Sequence, residues 1–347
     1  MEMAGGVASM AKNGVFGGVT ATLPLYAGGK IIHSNRLADV EVQVKELQGR
    51  LTDEEVRFNT EQHFRQIVTL RENLQTLDAL ERQVASLLRD VQVSVEAGVT
   101  NRNDLLQVQL RQNDLRSSRL TIENVLDLSR RLLGQYVGRG TEPVDIIYNM
   151  KDTLPPSPLS LQTEPSAAVR RTGEYGLLEK NVEAARLQSR LAVGRMLPTV
   201  AVGGGWTYEN LFDRDHSFLM GFATVSIPIP DWWGGVHNLR RQRLQEQNAR
   251  NDLADQSEQL LLRVHQTWNA LVESYEQIAL AVQSIRQSEE NLRLQTDYYA
   301  AGTCTMSDLL EAQSLYRQAR DKYVDVYKKY EVRKREYLRA TGRGGAA

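Results

Sequence analysis

The chain has 347 residues, a net charge of −1 and one cysteine, Cys304. Balanced charge excludes the basic surface that nucleic-acid binding demands, a single cysteine excludes an intramolecular disulfide, and the lack of any run of 18 apolar residues excludes a membrane-spanning helix. A mean hydropathy of −0.42 leaves a membrane β-barrel open, because strands that alternate apolar and polar residues average out as polar. The opening MEMAGGVASMAKNG has neither the basic start nor the apolar run of a secretory leader.

In chain order, GGVTATLPLY (17–26) reads as a strand, with further strand residues extending back toward residue 1. PLYAGGKI follows: Pro24 is expected to end the ladder, and Gly28 and Gly29 supply the backbone freedom for a sharp turn into a helix. A helical hairpin is predicted over 30–134. Its incoming arm steps by three and four through Leu37, Val40, Val44, Leu47 and Leu51, then through Leu70, Leu74, Leu77, Val84, Leu88, Val91 and Val95. Its return arm runs from about Asn103 to Leu133. TEPVDIIYNMKDTLPPSPLSLQTEPS, rich in proline, makes 135–166 an irregular connector.

The second half opens with a predicted helix over 167–196 and strands over 197–229. In these strands Val200, Val202, Gly204, Trp206 and Tyr208 alternate, and Phe218, Met220, Phe222 and Thr224 share a face. Pro228 and Pro230 end the strand, and Gly234 and Gly235 repeat the glycine pair before a second hairpin over 236–341. Leu261, Val264, Trp268, Leu271, Tyr275, Ile278, Val282 and Ile285 keep eight consecutive 3–4 positions, the period of a left-handed coiled coil. No proline interrupts Val236 to Ala301, so this arm is roughly 100 Å long at 1.5 Å per residue.

The halves repeat one another. EAGVTNRNDLLQVQ (96–109) and AAGTCTMSDLLEAQ (300–313) share Ala97, Gly98, Asp104, Leu105, Leu106 and Gln109 with Ala301, Gly302, Asp308, Leu309, Leu310 and Gln313, at an offset of 204. The same offset relates GGVTATLPLY to GFATVSIPIP. Each repeated turn lies at a hairpin tip. Gly98 and Gly302 end the incoming helices, and Asn101 or Asn103, and Thr305 or Ser307, cap the outgoing ones. Asp104 and Asp308 then have a purely structural reading, as acids in the first turn of a helix. Strands of ten to twelve residues cross a bilayer when tilted, and Trp206, Tyr208, Trp232 and Trp233 near their ends suit an interface belt. The competing reading is a soluble hairpin capping a bundle.

Together, the duplicated tip (YYAAGTCTMSDLLEAQSLYRQAR), the proline–glycine junctions and ARLQSRLAVGRMLPTVAVGGG resemble the TolC-type outer-membrane efflux proteins over nearly the whole chain. The resemblance implies a mainly α fold with β. Long antiparallel coiled-coil hairpins form an α-barrel in the periplasm, and each chain of a homotrimer gives four strands to a shared transmembrane β-barrel in the outer membrane of a Gram-negative bacterium. It implies repeats over 1–134 and 167–347. The first repeat lacks the helix that leads the second, so the chain is expected to be N-terminally truncated. By the motif, Tyr299, Asp308, Glu311 and Asp104 fall at gate positions. Cys304 stands where the family often has an arginine, which puts a charged latch in doubt. A periplasmic membrane-fusion adaptor, and through it an inner-membrane pump, would dock at the tips near Gly98, Arg102, Asn103, Gly302 and Ser307, unless these are merely solvated turn residues.

An exit duct without chemistry of its own is therefore expected, with no cofactor, no metal and no nucleic-acid partner. The alternative is a soluble periplasmic coiled-coil adaptor or scaffold, which would not need bilayer-length hairpins. An enzyme is disfavoured: the five histidines lack ligand spacing, and GGG at 203–205 lies inside a strand without the lysine of a phosphate loop.

Overall fold

The computed structural model describes residues 16–150, 153–209 and 215–345, the side chains of Phe16 and of 230–233 aside. The chain divides into two compact units. One contains residues 1–48 and 176–256, the other 49–175 and 257–347.

The first unit holds a three-stranded antiparallel sheet in the order β1 (Phe16–Ala27), β2 (Thr199–Glu209), β3 (His216–Ser226). Of the four strands expected, the one that would precede β1 falls on residues outside the described set. Val19 faces Trp206, and Trp206 faces Leu219. Leu23 faces Val202, and Val202 faces Ala223. Period-two alternation therefore puts Val19, Leu23, Val202, Trp206, Leu219 and Val225 on one face. The opposite face carries Thr20, Thr22, Gly203, Gly205, Thr207, Met220 and Phe222. The first face is open: Leu219 is 86% exposed, Val19 74% and Leu23 63%.

Pro24 does not end its ladder. It still pairs with Ala201, and a register shift between Pro24 and Tyr26 lets β1 run on to Ala27. This is possible because β1 is an edge strand among the described residues, where a missing N–H leaves nothing unpaired. The turn after β1 is made by Gly28 and Gly29, at φ of 63° and 76°. A β-carbon on Gly28 would run into the carbonyl oxygen of Gly194, and one on Gly194 would sit 2.6 Å from the Gly28 carbonyl oxygen. The two backbones thus touch because neither residue has a side chain.

The second junction is built differently from the expectation. Pro228 lies just past β3, but α5 (Ile229–Ala300) begins at once. Pro230 stands in its first turn, where a missing N–H costs nothing. Gly234 and Gly235 are inside the helix, and neither has positive φ. Gly235 instead permits close packing, since a β-carbon there would lie 3.0 Å from Met196. Trp232 and Trp233 also fall within α5 rather than at a strand end; their side chains are outside the described set.

The predicted helix over 167–196 is two helices, α3 (Pro165–Val169) and α4 (Gly173–Arg195). Thr172 breaks it. Its hydroxyl donates to the Val169 carbonyl at 2.7 Å and accepts the Tyr175 N–H at 3.2 Å, which ends one helix and starts the next.

The second unit is helical. α1 (Lys30–Glu96) and α2 (Arg102–Tyr136) form one hairpin, and α5 and α6 (Met306–Ala340) the other. Val264, Leu271, Ile278 and Ile285, one heptad apart, are buried. Trp268 and Tyr275 pack against Tyr337 and Tyr330, with ring centroids 5.1 and 6.0 Å apart. In the first hairpin Leu77, Leu80, Val84, Val91, Val108 and Leu115 form the seam. Arg119 locks its flank by binding Glu81, Asp78 and Glu123, and its bonds to Glu81 and Asp78 raise its already high pKa further.

Candidate functional site

The two hairpin tips are built alike. At the first, Gly98 has φ of 72°, its N–H reaches the Val95 carbonyl, and the Val99 N–H closes on Ser94 at 2.8 Å. At the second, Gly302 has φ of 71°, its N–H reaches Tyr299, and the Thr303 N–H closes on Tyr298 at 2.9 Å. This left-handed stop satisfies carbonyls that the helix end would otherwise leave open. No atom lies within 4 Å of where a β-carbon would stand on either glycine, so conformation alone calls for them.

Of the paired cap candidates, the structure uses Asn101 and Thr305, not Asn103 or Ser307. Asn101 Oδ1 accepts the Asp104 N–H at 3.2 Å. Thr305 and Asp308 form a reciprocal capping box. The Asp308 carboxylate accepts the Thr305 N–H at 2.9 Å and its hydroxyl at 2.6 Å, and Thr305 Oγ1 accepts the Asp308 N–H at 3.2 Å. Asp104 differs: its carboxylate takes the Thr100 hydroxyl at 2.6 Å. The structural reading of both acids therefore stands, and any gating charge is carried by groups that also hold their helices.

Those bonds to Thr305 hold the Asp308 carboxyl below its ordinary value. A depressed folded-state pKa stabilises above the unfolded value, about 3.9, and that contribution is lost as pH falls through the folded value. Amide protection in the first turn of α6 should accordingly be constant from pH 7 to pH 5 and fall below about pH 4. In Asp308→Asn the pH dependence should disappear; hydrogen exchange corrected for intrinsic rates reads both.

Four of the five predicted gate residues, Tyr299, Asp104, Cys304 and Asp308, are brought together. The Tyr299 phenol is pushed up first by burial, then by the charge of Asp104 and by Cys304. The Cys304 thiol is pushed up by burial and by Asp308, so it is neutral at pH 7, and Sγ turns to the Gln295 carbonyl at 3.5 Å. Glu311 stands one turn beyond Asp308, exposed. Arg102 and Asn103 are exposed. Ser307 is not simply solvated, because its hydroxyl reaches Gln107 Oε1 of the other hairpin at 3.3 Å. Residues that sequence reasoning missed include Met306, 2% exposed and inserted into the first hairpin's core beside Val91 and Val108. Its position straight after a cap was the only signal, and it does not tell which hairpin receives the side chain.

Among the described residues no group of three His, Cys, Asp or Glu could hold a metal ion. The arrangement offers carboxylates, a phenol and a thiol on two apposed tips, without a base–nucleophile pair. It can repel, attract and obstruct.

The model of the outer membrane efflux protein family matches residues 178–343. A curated relative, the proteases secretion protein PrtF of Dickeya chrysanthemi, is 22% identical over 274 residues, which cover 76% of this chain and 59% of that protein. The chain thus spans about three fifths of that relative's length. Among solved structures, the outer membrane protein VceC of Vibrio cholerae superposes at a TM-score of 0.77 with 14% identity, over 95% of this chain and 87% of its own. The open state of the MtrE outer membrane channel of Neisseria gonorrhoeae gives 0.78 with 15% identity, over 96% and 80%. At such identities the likeness is one of fold.

Proposed function

From the match of residues 178–343 to the outer membrane efflux protein family, and from a channel fold that spans nearly the whole chain, we propose that the protein is an outer-membrane exit duct. It passes substrates from the periplasm to the exterior in a tripartite efflux or type I secretion system. The observation that carries the reading is the sheet. One face is dominated by exposed apolar side chains, with Tyr208 and Ser217 near one end, the other mixes threonine and glycine with Met220 and Phe222, and among the described residues both β1 and β3 are unpaired edges. A soluble adaptor gives no reason for so large an exposed apolar face. A bilayer covers it, and copies of the chain pair the edges.

Strands of 11 residues reach about 36 Å, enough for a tilted crossing. Three or four strands cannot close around a lumen, since about eight are needed even for a filled barrel. Several copies must share one barrel, and the resemblance to the TolC-type proteins makes that assembly a homotrimer sharing twelve strands. The helices form a periplasmic tunnel, and the twin tips of each chain, from a duplicated half, form a ring of six. Asp308 and Glu311 project acidic rings into its narrow end, with Tyr299 and Asp104 closing it from the side. A periplasmic adaptor docks near Arg102 and Asn103 and links the duct to an inner-membrane pump. The protease secretion in PrtF's name supports proteins as one class of cargo.

Conductance in a planar bilayer tests this. Rings of carboxylates favour cations and are blocked by multivalent ones. Glu311→Gln changes charge at an exposed residue that makes no cap, so it reads the ring alone. Combined with Asp308→Asn, it should weaken block by a trivalent cation at least about tenfold. Folded protein that makes no channels refutes the duct.

A further inference from the structure

α6 opens with an apolar side chain that is buried in the other hairpin. Met306 follows the cap residue Thr305, and the capping box to Asp308 fixes the turn that aims it. The side chain is 2% exposed and lies in the first hairpin's core with Val84, Val91, Val108 and Leu115. Leu310, one turn on, packs against the same core. Leu87 of α1 answers from the first hairpin. With Tyr299 and Tyr316 it packs both on that core and on Leu292, Leu309 and Ala312 of the second hairpin. The apolar cores of the two hairpins are therefore continuous near the tips.

Charge is arranged differently. The ion pairs described between the hairpins, Arg65–Glu331 at 3.0 Å and Arg335–Glu61 at 3.3 Å, stand roughly 40 Å along α6 from Met306. Nearer the tips, like charge faces like. Arg111 of α2 shares a stripe with the buried Val108 and Leu115, and its Nε and Nη2 are buried without a hydrogen-bond partner among the described residues. Burial, and then the charge of Arg317 across on α6, hold its guanidinium below its ordinary value, and Asp114 offsets this only in part. The side-chain hydrogen bond described between the tips, from Ser307 to Gln107 at 3.3 Å, is neutral.

We infer that Met306 is a clasp: an apolar side chain, not an ion pair, holds the tips of one chain's two hairpins together, so that they move as one body. Met306 is then the positioning residue of the tip. An ion-pair clasp loosens as salt screens it. An apolar clasp does not, and screening the repulsion between Arg111 and Arg317 can only tighten it. The clasp itself does not depend on the duct; its effect on conduction rests on that reading.

Met306→Ser removes the apolar group, and Met306→Leu keeps it at similar volume. Spin labels on cysteines placed at Ala97 and Ala301, both exposed and just past α1 and α5, read tip separation. The background is Cys304→Ser, with labelled chains diluted among unlabelled ones. The otherwise unaltered protein and Met306→Leu should give a narrow distance distribution that does not widen between about 0.05 and about 1 M sodium chloride. Met306→Ser should give one at least about twofold broader, as a cavity and a hydroxyl replace the contact. Widening by salt with Met306 in place overturns the clasp in favour of ion pairs, and a Met306→Ser pair that stays narrow overturns it as well. The salt series needs only the unaltered tip, so it decides even if Met306→Ser does not fold. In planar bilayers Met306→Ser should raise the resting conductance at least about threefold, and Met306→Leu should not. A narrow, salt-independent tip pair in folded protein that forms no channel keeps the clasp and removes the duct. Channels whose conductance ignores Met306→Ser, although the tip pair broadens, overturn the clasp's part in gating.

Discussion

Leu219→Arg should abolish assembly in the outer membrane, while Met220→Arg, one residue on and at the same depth, should assemble and change only conduction. The two side chains stand on opposite faces of β3. Leu219 pairs across Trp206 with Val19 on the apolar face, and Met220 pairs across Gly205 with Thr20 on the other. If the apolar face meets lipid, an arginine near the middle of the bilayer costs about 2–4 kcal/mol. A trimer would bear that cost three times, a sum comparable to the whole stability of an ordinary domain. An arginine at Met220 would project into an aqueous lumen and cost little. Heat-modifiable trimer in outer-membrane fractions is the readout. If the sheet is instead a soluble cap, Leu219 is a surface position and its arginine variant is harmless. Equal tolerance of both variants would therefore sink the barrel and return the adaptor reading.

How much of this was legible in the sequence depends on the range over which the physics acts. The 3–4 step from Leu261 to Ile285 marked a helix seam, and Val264, Leu271, Ile278 and Ile285 are buried in it, because periodicity is written locally by the face a helix must hide. Gly98 and Gly302 were readable as helix stops for the same reason: a left-handed residue is chosen by its own backbone. Gly28 and Gly29 were equally legible. Gly234 and Gly235 were not, because the same dipeptide serves a turn in one place and close packing on Met196 in the other, and only the neighbour tells them apart. The break at Thr172 needed a hydroxyl to choose a capping geometry over helix continuation. Proline composition identified the connector as irregular. It could not show that the connector's backbone is met by three tyrosines some 170 residues away, two of which also pack in the helix seam. At the tips, the residue types proposed for a gate were legible, but the bonds from Thr100 and Thr305 that also occupy Asp104 and Asp308 were visible only as capping propensity.

The second large effect is expected at the turn from β1 into α1. Gly28→Val should remove nearly all folded protein, and Gly29→Ala, one residue on, should leave most of it. Both glycines have positive φ, where a β-carbon costs about 1–2 kcal/mol by conformation alone. Their surroundings then diverge. Around Gly29 the nearest atoms to a new β-carbon belong to the His33 ring, at 3.5 Å, an ordinary contact. Around Gly28 the β-carbon would overlap the Gly194 carbonyl oxygen and press on Leu197 at 3.0 Å, so α4 would have to retreat from β1. A branched residue in a left-handed conformation, with backbone rather than a flexible side chain in its way, should cost at least about 3 kcal/mol. Thermal unfolding of purified protein separates this from the lipid-face effect above. Leu219→Arg should fold in detergent and fail to assemble in membranes, whereas Gly28→Val should fail in both. An unchanged melting temperature in the Gly28→Val variant would mean that β1 and α4 do not meet through these two glycines.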